Sequence, residues 1–154
     1  MSVVDEKSRV PALDPAAVER LRDALDQPGV DAAYLIGSRA RGTAGPLSDL
    51  DLAVLHPPDL DSRSRLDLRL RLMADAGAAL DTTEVDVVLL NGAPPLVRHR
   101  ALGEGVLLVD NDPAARVAFY VRTLNDYVDT EPLRRLMSHR LHASIREDRF
   151  GRPA

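Results

Sequence analysis

Cysteine and tryptophan are absent from this chain of 154 residues, and aromatic residues make up only 3% of it. Without cysteine there are no disulfides, thiolate nucleophiles, zinc knuckles or iron–sulfur ligands, and nothing indicates an oxidising compartment. Long apolar runs are missing too, because none approaches the ~18 residues of a membrane span, and residues 1–7 lack the pattern of a signal peptide. We therefore expect a cytoplasmic protein that is neither secreted nor inserted into a membrane.

An excess of positive charge is also missing. Lys and Arg total 20 and Asp and Glu total 24, a formal net charge of −4, so direct binding of nucleic acid over a broad surface is not expected. The chain does have 45% hydrophobic and 29% charged residues, the balance of one soluble globular domain. Its length is sufficient to bury a core without disulfides or a structural metal.

Hydrophobic periodicity and turn residues predict an α/β (α+β) fold with a mixed sheet. The predicted units are a flexible arm over 1–13, an α/β domain over 14–110, a helical C-terminal extension over 111–146 and a disordered tail over 147–154. Helices are predicted from Pro15 to Pro28-Gly29, over 62–80, over 94–102 and from Pro113 onward. Strands are predicted over 32–36, from Asp49 to before Pro57, over 84–90 and over 106–109.

Residues at helical spacing predict which helix faces are apolar. In the helix over 62–80 they are Leu66, Leu70, Met73, Ala76 and Leu80. Two later seams follow, the first at Val117, Tyr120, Val121, Leu124, Tyr127 and Val128, the second at Leu133, Leu136, Met137, Leu141 and Ile145. The sequence leaves open which seam completes the core and which docks on a partner.

Asp49 and Asp51 lie on the second predicted strand, ten residues after Gly37-Ser38. Because side chains alternate along a strand, the two carboxylates share a face about 6.5 to 7 Å apart. Magnesium is bound by one or two carboxylates together with substrate phosphates, so the pair is a candidate cation site. The same spacing recurs at Asp59/Asp61 and Asp110/Asp112, where it precedes a helix and is interpreted as turn and capping chemistry.

A third carboxylate and a phosphate cradle extend this candidate site. Asp86 lies on the polar face of the strand that we expect to pair beside the first acidic strand. Gly37 permits close approach of backbone amides to a phosphate, and Ser38 adds a hydroxyl donor. Arg39 and Arg41 follow directly, and either can contact phosphate oxygens.

Together, Gly37-Ser38, ten residues, Asp49-Leu50-Asp51 and Asp86 resemble the nucleotidyltransferase superfamily of the DNA polymerase beta type. Within it, the chain looks like a minimal nucleotidyltransferase of the MntA-type antitoxins in HEPN/MNT toxin–antitoxin pairs. The resemblance covers about residues 15–110 and, more loosely, 119–141.

This resemblance implies a fold, a cofactor set and a reaction. Asp49, Asp51 and Asp86 would ligate two Mg²⁺ ions, with Asp86 also helping to deprotonate the attacking hydroxyl, and Gly37 and Ser38 would hold the triphosphate of ATP. The reaction would transfer AMP from ATP to a tyrosine hydroxyl of a partner HEPN ribonuclease toxin, which is thereby silenced.

Two alternatives stay open. One is a small-molecule nucleotidyltransferase of the aminoglycoside type, for which the stretch after Asp110 leaves little room for a substrate domain. The other is a non-catalytic antitoxin that masks its toxin by contact, against which the three intact carboxylates argue.

Further basic residues carry weaker signals. His56 is interpreted as a strand-end residue, and a solvated face is predicted for His99, His139 and His142. The same interpretation applies to the arginines of the helix over 62–80, namely Arg63, Arg65, Arg69 and Arg71, because acidic residues intervene and the spacing spreads them around the helix.

Overall fold

The computed structural model describes residues 13–42 and 48–146. Residues 1–12 of the predicted arm, residues 43–47 and the tail predicted for 147–154 lie outside the described residues. Within the described ranges, no helix is both long and apolar enough to cross a membrane.

Four strands and six α-helices make up the described part of the chain, in agreement with the predicted mixed α/β class. In order they are α1 (Pro15–Leu25), β1 (Ala32–Ile36), α2 (Gly37–Arg41), β2 (Leu50–Leu55), α3 (Ser62–Leu80), β3 (Val85–Leu89), α4 (Pro95–Glu104), β4 (Val106–Asp110), α5 (Pro113–Asp129) and α6 (Glu131–Arg146). A short 3₁₀ turn, Leu90–Gly92, follows β3. Helix α1 ends at Leu25, three residues before the predicted Pro28.

Aspartate side chains begin three of the helices. Asp14, Asp61 and Asp112 each accept the backbone N–H of the residue three positions later, at 2.7 to 3.0 Å. Such caps contribute about 1 kcal/mol each by satisfying an otherwise unpaired amide of the first turn. The capping predicted for the aspartate pairs other than Asp49/Asp51 is therefore confirmed at Asp61 and Asp112.

The strand order of the sheet is β3-β2-β1-β4. β2 and β3 run parallel, whereas β1 is antiparallel to both β2 and β4. As a result β1 ends where β2 and β3 begin, and Asp51 is in register with Ile36 on one side and Asp86 on the other. We call this region, defined by Gly37, Asp49, Asp51 and Asp86, the acidic end of the sheet.

Each face of the sheet carries its own layer of helices. On the first, the α1/α3 face, the buried residues are aliphatic, including Leu21, Leu25, Leu50, Leu52, Val54, Leu68 and Leu72. On the second, the α4/α5 face, they are Ala32, Tyr34, Ala53, Leu55, Leu90, Ala101, Leu102, Phe119 and Tyr120. Because side chains alternate along β2, Asp51 lies on the same face as Ala53, the α4/α5 face.

The apolar face predicted for α3 is wrong in its first two turns. Leu66 and Leu70 are each 54% exposed, whereas Leu68 and Leu72 are buried. Leucine occupies every second position from 66 to 72, so two helical stripes are equally compatible with the sequence. Packing on the sheet selects the stripe that continues to Ala76.

The first seam predicted for the C-terminal extension is also partly wrong. Tyr120 of this seam is buried as predicted, but Val117, Val121 and Val128 are exposed. The other buried residues of α5 are Arg116, Phe119 and Thr123, which the seam did not include. Burial of Arg116 is possible because its guanidinium donates to the carboxylate of Asp110 at 2.9 Å. A charged residue in the buried stripe misleads a prediction made from apolar periodicity.

In the second seam, Leu133, Leu136 and Met137 are exposed, so they do not complete the core. The side chains of Leu141 and Ile145 lie outside the described part of the chain.

The solvated position predicted for His99 is wrong. Its ring stacks on Tyr127 with centroids 3.8 Å apart, and it is half-buried. The guanidinium of Arg134 from α6 lies 3.4 Å from the centroid of the same Tyr127 ring. This contact joins residues of three different helices, α4, α5 and α6, so helical spacing within one helix does not indicate it. The side chains of His139 and His142 lie outside the described residues.

Candidate active site

Gly37 makes the turn from β1 into α2, and two features require glycine there. Its φ is +72°, a left-handed conformation that costs a residue with a Cβ about 1 to 2 kcal/mol. A Cβ would also lie 2.5 Å from Oδ2 of Asp51. The missing side chain therefore leaves room for a carboxylate directly above the turn.

Asp51 is the half-buried carboxylate of the acidic end. Its pKa is raised, first by loss of hydration and then by the negative charges of Asp86 and Asp49. Arg41 and Arg39 act in the opposite direction, with smaller effect. Asp51 thus lies in a field that favours either a proton or another cation beside it.

Asp49 is exposed and directly precedes β2. The guanidinium of Arg39 donates to the carbonyl oxygen of Ser48 at 2.8 Å and to that of Asp49 at 3.3 Å. These bonds connect α2 to the chain that enters β2. Arg39, proposed from the sequence as a phosphate contact, therefore also positions the backbone of Asp49.

Two more predicted residues lie on α2. Ser38 is half-buried on its first turn, directly after the Gly37 turn. Arg41 is exposed, and its guanidinium lies 3.8 Å from the carboxylate of Glu104 at the end of α4. At that distance and exposure the ion pair contributes little, so the Arg41 side chain can reorient toward a ligand.

Asp86 is on the edge strand β3, which pairs beside β2 as the sequence predicts, and the register places Asp86 opposite Asp51. Its carboxylate is exposed and lies 3.5 Å from the guanidinium of Arg69 on α3. Sequence reasoning assigned Arg69 to a solvated helix face and missed this contact. The sequence holds no signal for it, because the pairing depends on how α3 lies across the sheet.

The described residues include no cluster of three His, Cys, Asp or Glu side chains arranged to hold a metal ion. The structure thus brings Asp49, Asp51 and Asp86 to one end of the sheet, close enough that the charges of Asp86 and Asp49 raise the pKa of Asp51. It does not converge all three carboxylates on one point. The three-carboxylate magnesium site stays a prediction.

Comparison with known proteins gives the family. The model of the family "Polymerase beta, Nucleotidyltransferase" matches residues 19–114, a range that includes the whole acidic end. The chain belongs to this nucleotidyltransferase family. The resemblance predicted from the motif and the predicted fold class are confirmed.

Individual relatives of this nucleotidyltransferase agree. The protein adenylyltransferase MntA of Shewanella oneidensis is 32% identical over 110 residues, 71% of this chain and 73% of the relative. A solved toxin–antitoxin structure with AMP-PNP is 28% identical, with a TM-score of 0.63 over 84% of this chain and 99% of that one. A tri-AMPylated Shewanella oneidensis HEPN toxin in complex with MNT antitoxin gives 26% identity and a TM-score of 0.57, covering 81% of this chain and 92% of that one.

The donor chemistry of this nucleotidyltransferase fits magnesium. All candidate ligands are carboxylate oxygens, the hard donors that Mg²⁺ prefers, and they lie beside a turn suited to phosphate. The space above Gly37, which a Cβ would fill, keeps one oxygen of Asp51 accessible from the turn.

Proposed function

We propose that this chain transfers AMP from ATP to a tyrosine hydroxyl of a HEPN-family toxin and thereby acts as its antitoxin. The observation that carries the proposal is the close approach of Asp51 to the Gly37 turn, with Asp86 in register on the neighbouring strand. If these residues had only a structural role, there would be no need for a left-handed glycine at residue 37 or for a half-buried carboxylate with a raised pKa next to it.

The residues of the acidic end have different proposed roles in binding ATP and Mg²⁺. The Gly37-Ser38 turn binds the triphosphate of ATP, and Arg41 contacts its oxygens after leaving Glu104. Arg39 holds the chain at Ser48 and Asp49, so that Asp49 and Asp51 face the same substrate. Asp49, Asp51 and Asp86 would hold Mg²⁺, which when bound supplies positive charge against the phosphates.

The proposed reaction is an in-line displacement at the α-phosphorus. The tyrosine oxygen forms a bond to the α-phosphorus of ATP, and the bond from that phosphorus to the oxygen bridging to the β-phosphate breaks. Pyrophosphate leaves with the electron pair of that bond. The phenolic proton passes to Asp86, whose exposed carboxylate is open to an incoming acceptor.

The comparisons support the choice of nucleotide and partner. The relative MntA is named a protein adenylyltransferase, one neighbouring structure contains AMP-PNP, and another contains an AMPylated HEPN toxin. Their similarity extends over most of this chain. A nucleotide donor and a protein acceptor therefore fit this chain better than a small-molecule acceptor.

The test is transfer of label to a purified HEPN-family toxin. With ATP labelled at the α-phosphate, label should appear on that protein, and with ATP labelled at the γ-phosphate, label should leave as pyrophosphate. The double variant Asp49→Asn/Asp51→Asn keeps the side-chain shapes and removes the charges, so transfer should fall by at least about a hundredfold.

A matched control is Asp59→Asn/Asp61→Asn, the same spacing used at a helix start, which should keep full transfer. Unchanged transfer by the Asp49/Asp51 variant would contradict the catalytic assignment. If that variant transfers no AMP but still protects cells from the toxin, the chain is instead an antitoxin that acts by binding.

A further inference from the structure

Two exposed ion pairs connect the candidate site to residues outside it. The guanidinium of Arg41 lies 3.8 Å from the carboxylate of Glu104, and the carboxylate of Asp86 lies 3.5 Å from the guanidinium of Arg69. In each pair one member is a candidate site residue, and the other belongs to α4 or α3, outside the motif. A proposed phosphate contact and a proposed magnesium ligand are thus each engaged with a residue of opposite charge.

Asp86 lies close enough to Asp51 to share a cation with it, but its carboxylate is engaged elsewhere. The two residues are in register on adjacent parallel strands, which places their backbones about 5 Å apart. Side-chain rotation is therefore enough to bring their carboxylates together around one ion. The described carboxylates do not converge in this way, and the contact with Arg69 supplies a physical reason, because it draws the Asp86 carboxylate toward α3.

Arg41 shows the same arrangement with the charges reversed. It is the last residue of α2, the helix that begins at the Gly37 turn, and Glu104 is the last residue of α4. A triphosphate at the turn would compete with Glu104 for the guanidinium, because phosphate and carboxylate oxygens both accept from its N–H groups. A divalent cation would compete with Arg69 for the oxygens of Asp86, which are hard donors.

Both pairs are weak enough to be exchanged for a ligand. The side chains of Arg41 and Glu104 are 54% and 56% exposed, and those of Arg69 and Asp86 are 47% and 59% exposed. Exposed pairs of this kind reduce the affinity of a competing ligand by no more than about fivefold. They therefore oppose ligand binding without preventing it.

We propose that Glu104 and Arg69 are positioning residues, which hold Arg41 and Asp86 away from the substrate until ATP and a divalent cation replace them. The inference rests on the proposed function. Each exchange replaces a partner by a ligand of the same sign of charge, since the triphosphate takes the place of a carboxylate and the cation that of a guanidinium. Because Glu104 and Arg69 stabilise only the empty state, removal of either should favour the occupied state.

The first test measures ATP binding without metal, by NMR titration of the full chain in the presence of a chelator. Glu104→Gln should bind ATP about two- to fivefold more tightly than wild type, because Arg41 is no longer engaged. The comparison is repeated with Arg41→Gln in both chains, where Glu104→Gln should give no gain. An equal gain with and without Arg41 would mean that the charge of Glu104 repels ATP directly, and it would overturn the positioning role.

The second test measures binding of Mn²⁺, used as a probe in place of Mg²⁺, without nucleotide and with the free ion followed by electron paramagnetic resonance. Arg69→Gln should bind Mn²⁺ about two- to fivefold more tightly, and the gain should vanish when Asp86→Asn is also present. Arg69→Lys keeps a charge that can pair with Asp86 and should stay near wild type. The matched control is Arg65→Gln, since Arg65 contacts Ser62 Oγ on the same helix and its loss lowers the charge of α3 equally while leaving the Asp86 pair intact.

Two results of the metal titration would overturn the proposal. Weaker Mn²⁺ binding by Arg69→Gln would mean that Arg69 supports Asp86 as a ligand instead of withholding it. An equal gain in Arg65→Gln would mean that the effect is one of net charge and not of the contact. Failure of the proposed function would appear differently, as absence of AMP transfer by wild type, a reaction that these binding measurements do not require.

Discussion

The two faces of the sheet differ in what they bury. The α1/α3 face is closed by aliphatic residues such as Leu52, Leu68 and Leu72. The α4/α5 face contains Tyr34, Phe119 and Tyr120, and at one end it carries the half-buried carboxylate of Asp51. Among the described residues, buried side-chain atoms without a partner include Arg98 Nε and Thr123 Oγ1, which belong to α4 and α5.

The two faces therefore contribute differently, the α1/α3 face to the stability of the fold and the α4/α5 face to the candidate site. A face of leucines and valines gains its free energy from packing and tolerates no polar group. The other face is less completely satisfied, and a carboxylate at its end can stay charged near a substrate. The α1/α3 face thus fixes the strands, and the ends of those strands present the site on the opposite face.

The largest loss of stability should come from truncating a buried side chain on the α1/α3 face. Leu72→Ala removes a fully buried side chain and should lower the free energy of unfolding by about 2 to 5 kcal/mol. Leu70→Ala on the same helix removes a side chain that is 54% exposed and should cost no more than about 0.5 kcal/mol. Urea denaturation of the two variants measures both, and equal losses would show that the buried stripe of α3 is assigned incorrectly.

A smaller loss of stability, with a large loss of activity, should follow from changing the turn at the acidic end. Gly37→Ala adds the cost of a left-handed conformation and a Cβ against Asp51, so AMP transfer should fall about a hundredfold as the carboxylate is displaced. Gly42→Ala is the matched control, since its φ is +75° but its Cβ would meet nothing within 4 Å. Gly42→Ala should lose about 1 to 2 kcal/mol and Gly37→Ala somewhat more because of the contact with Asp51, and only Gly37→Ala should lose transfer.

Much of the framework follows from the sequence because local chemistry specifies it. Asp61 and Asp112 cap the first turns of the helices that follow them, and the alternation of Leu50, Leu52 and Val54 places these three side chains together on the α1/α3 face of β2. The sequence analysis expected β3 to pair beside β2, and the structure places Asp86 beside Asp51.

What sequence patterns miss depends on contacts between distant elements. The choice between Leu66/Leu70 and Leu68/Leu72 is made by the sheet and not by the helix itself. The contact of Arg69 with Asp86 and the stacking of His99 on Tyr127 likewise join separate elements. The site roles of Gly37, Ser38 and the three aspartates come from a motif and a resemblance, and they stay predictions until transfer is measured.

The smallest expected effect is on the pH dependence of stability, through His99 on α4. The pKa of His99 is lowered from its ordinary 6.5, mainly by burial and then by the charge of Arg134, while Glu104 acts weakly in the opposite direction. The folded state therefore binds fewer protons at this site than the unfolded chain, so its contribution to stability is complete above pH 6.5 and is lost as the pH falls through the lowered value. His99→Phe keeps a ring on Tyr127 and cannot titrate. Wild type should lose more thermal stability than His99→Phe between pH 7.5 and pH 5, by less than about 3 °C, and identical losses would mean that protonation of His99 leaves the stacking intact.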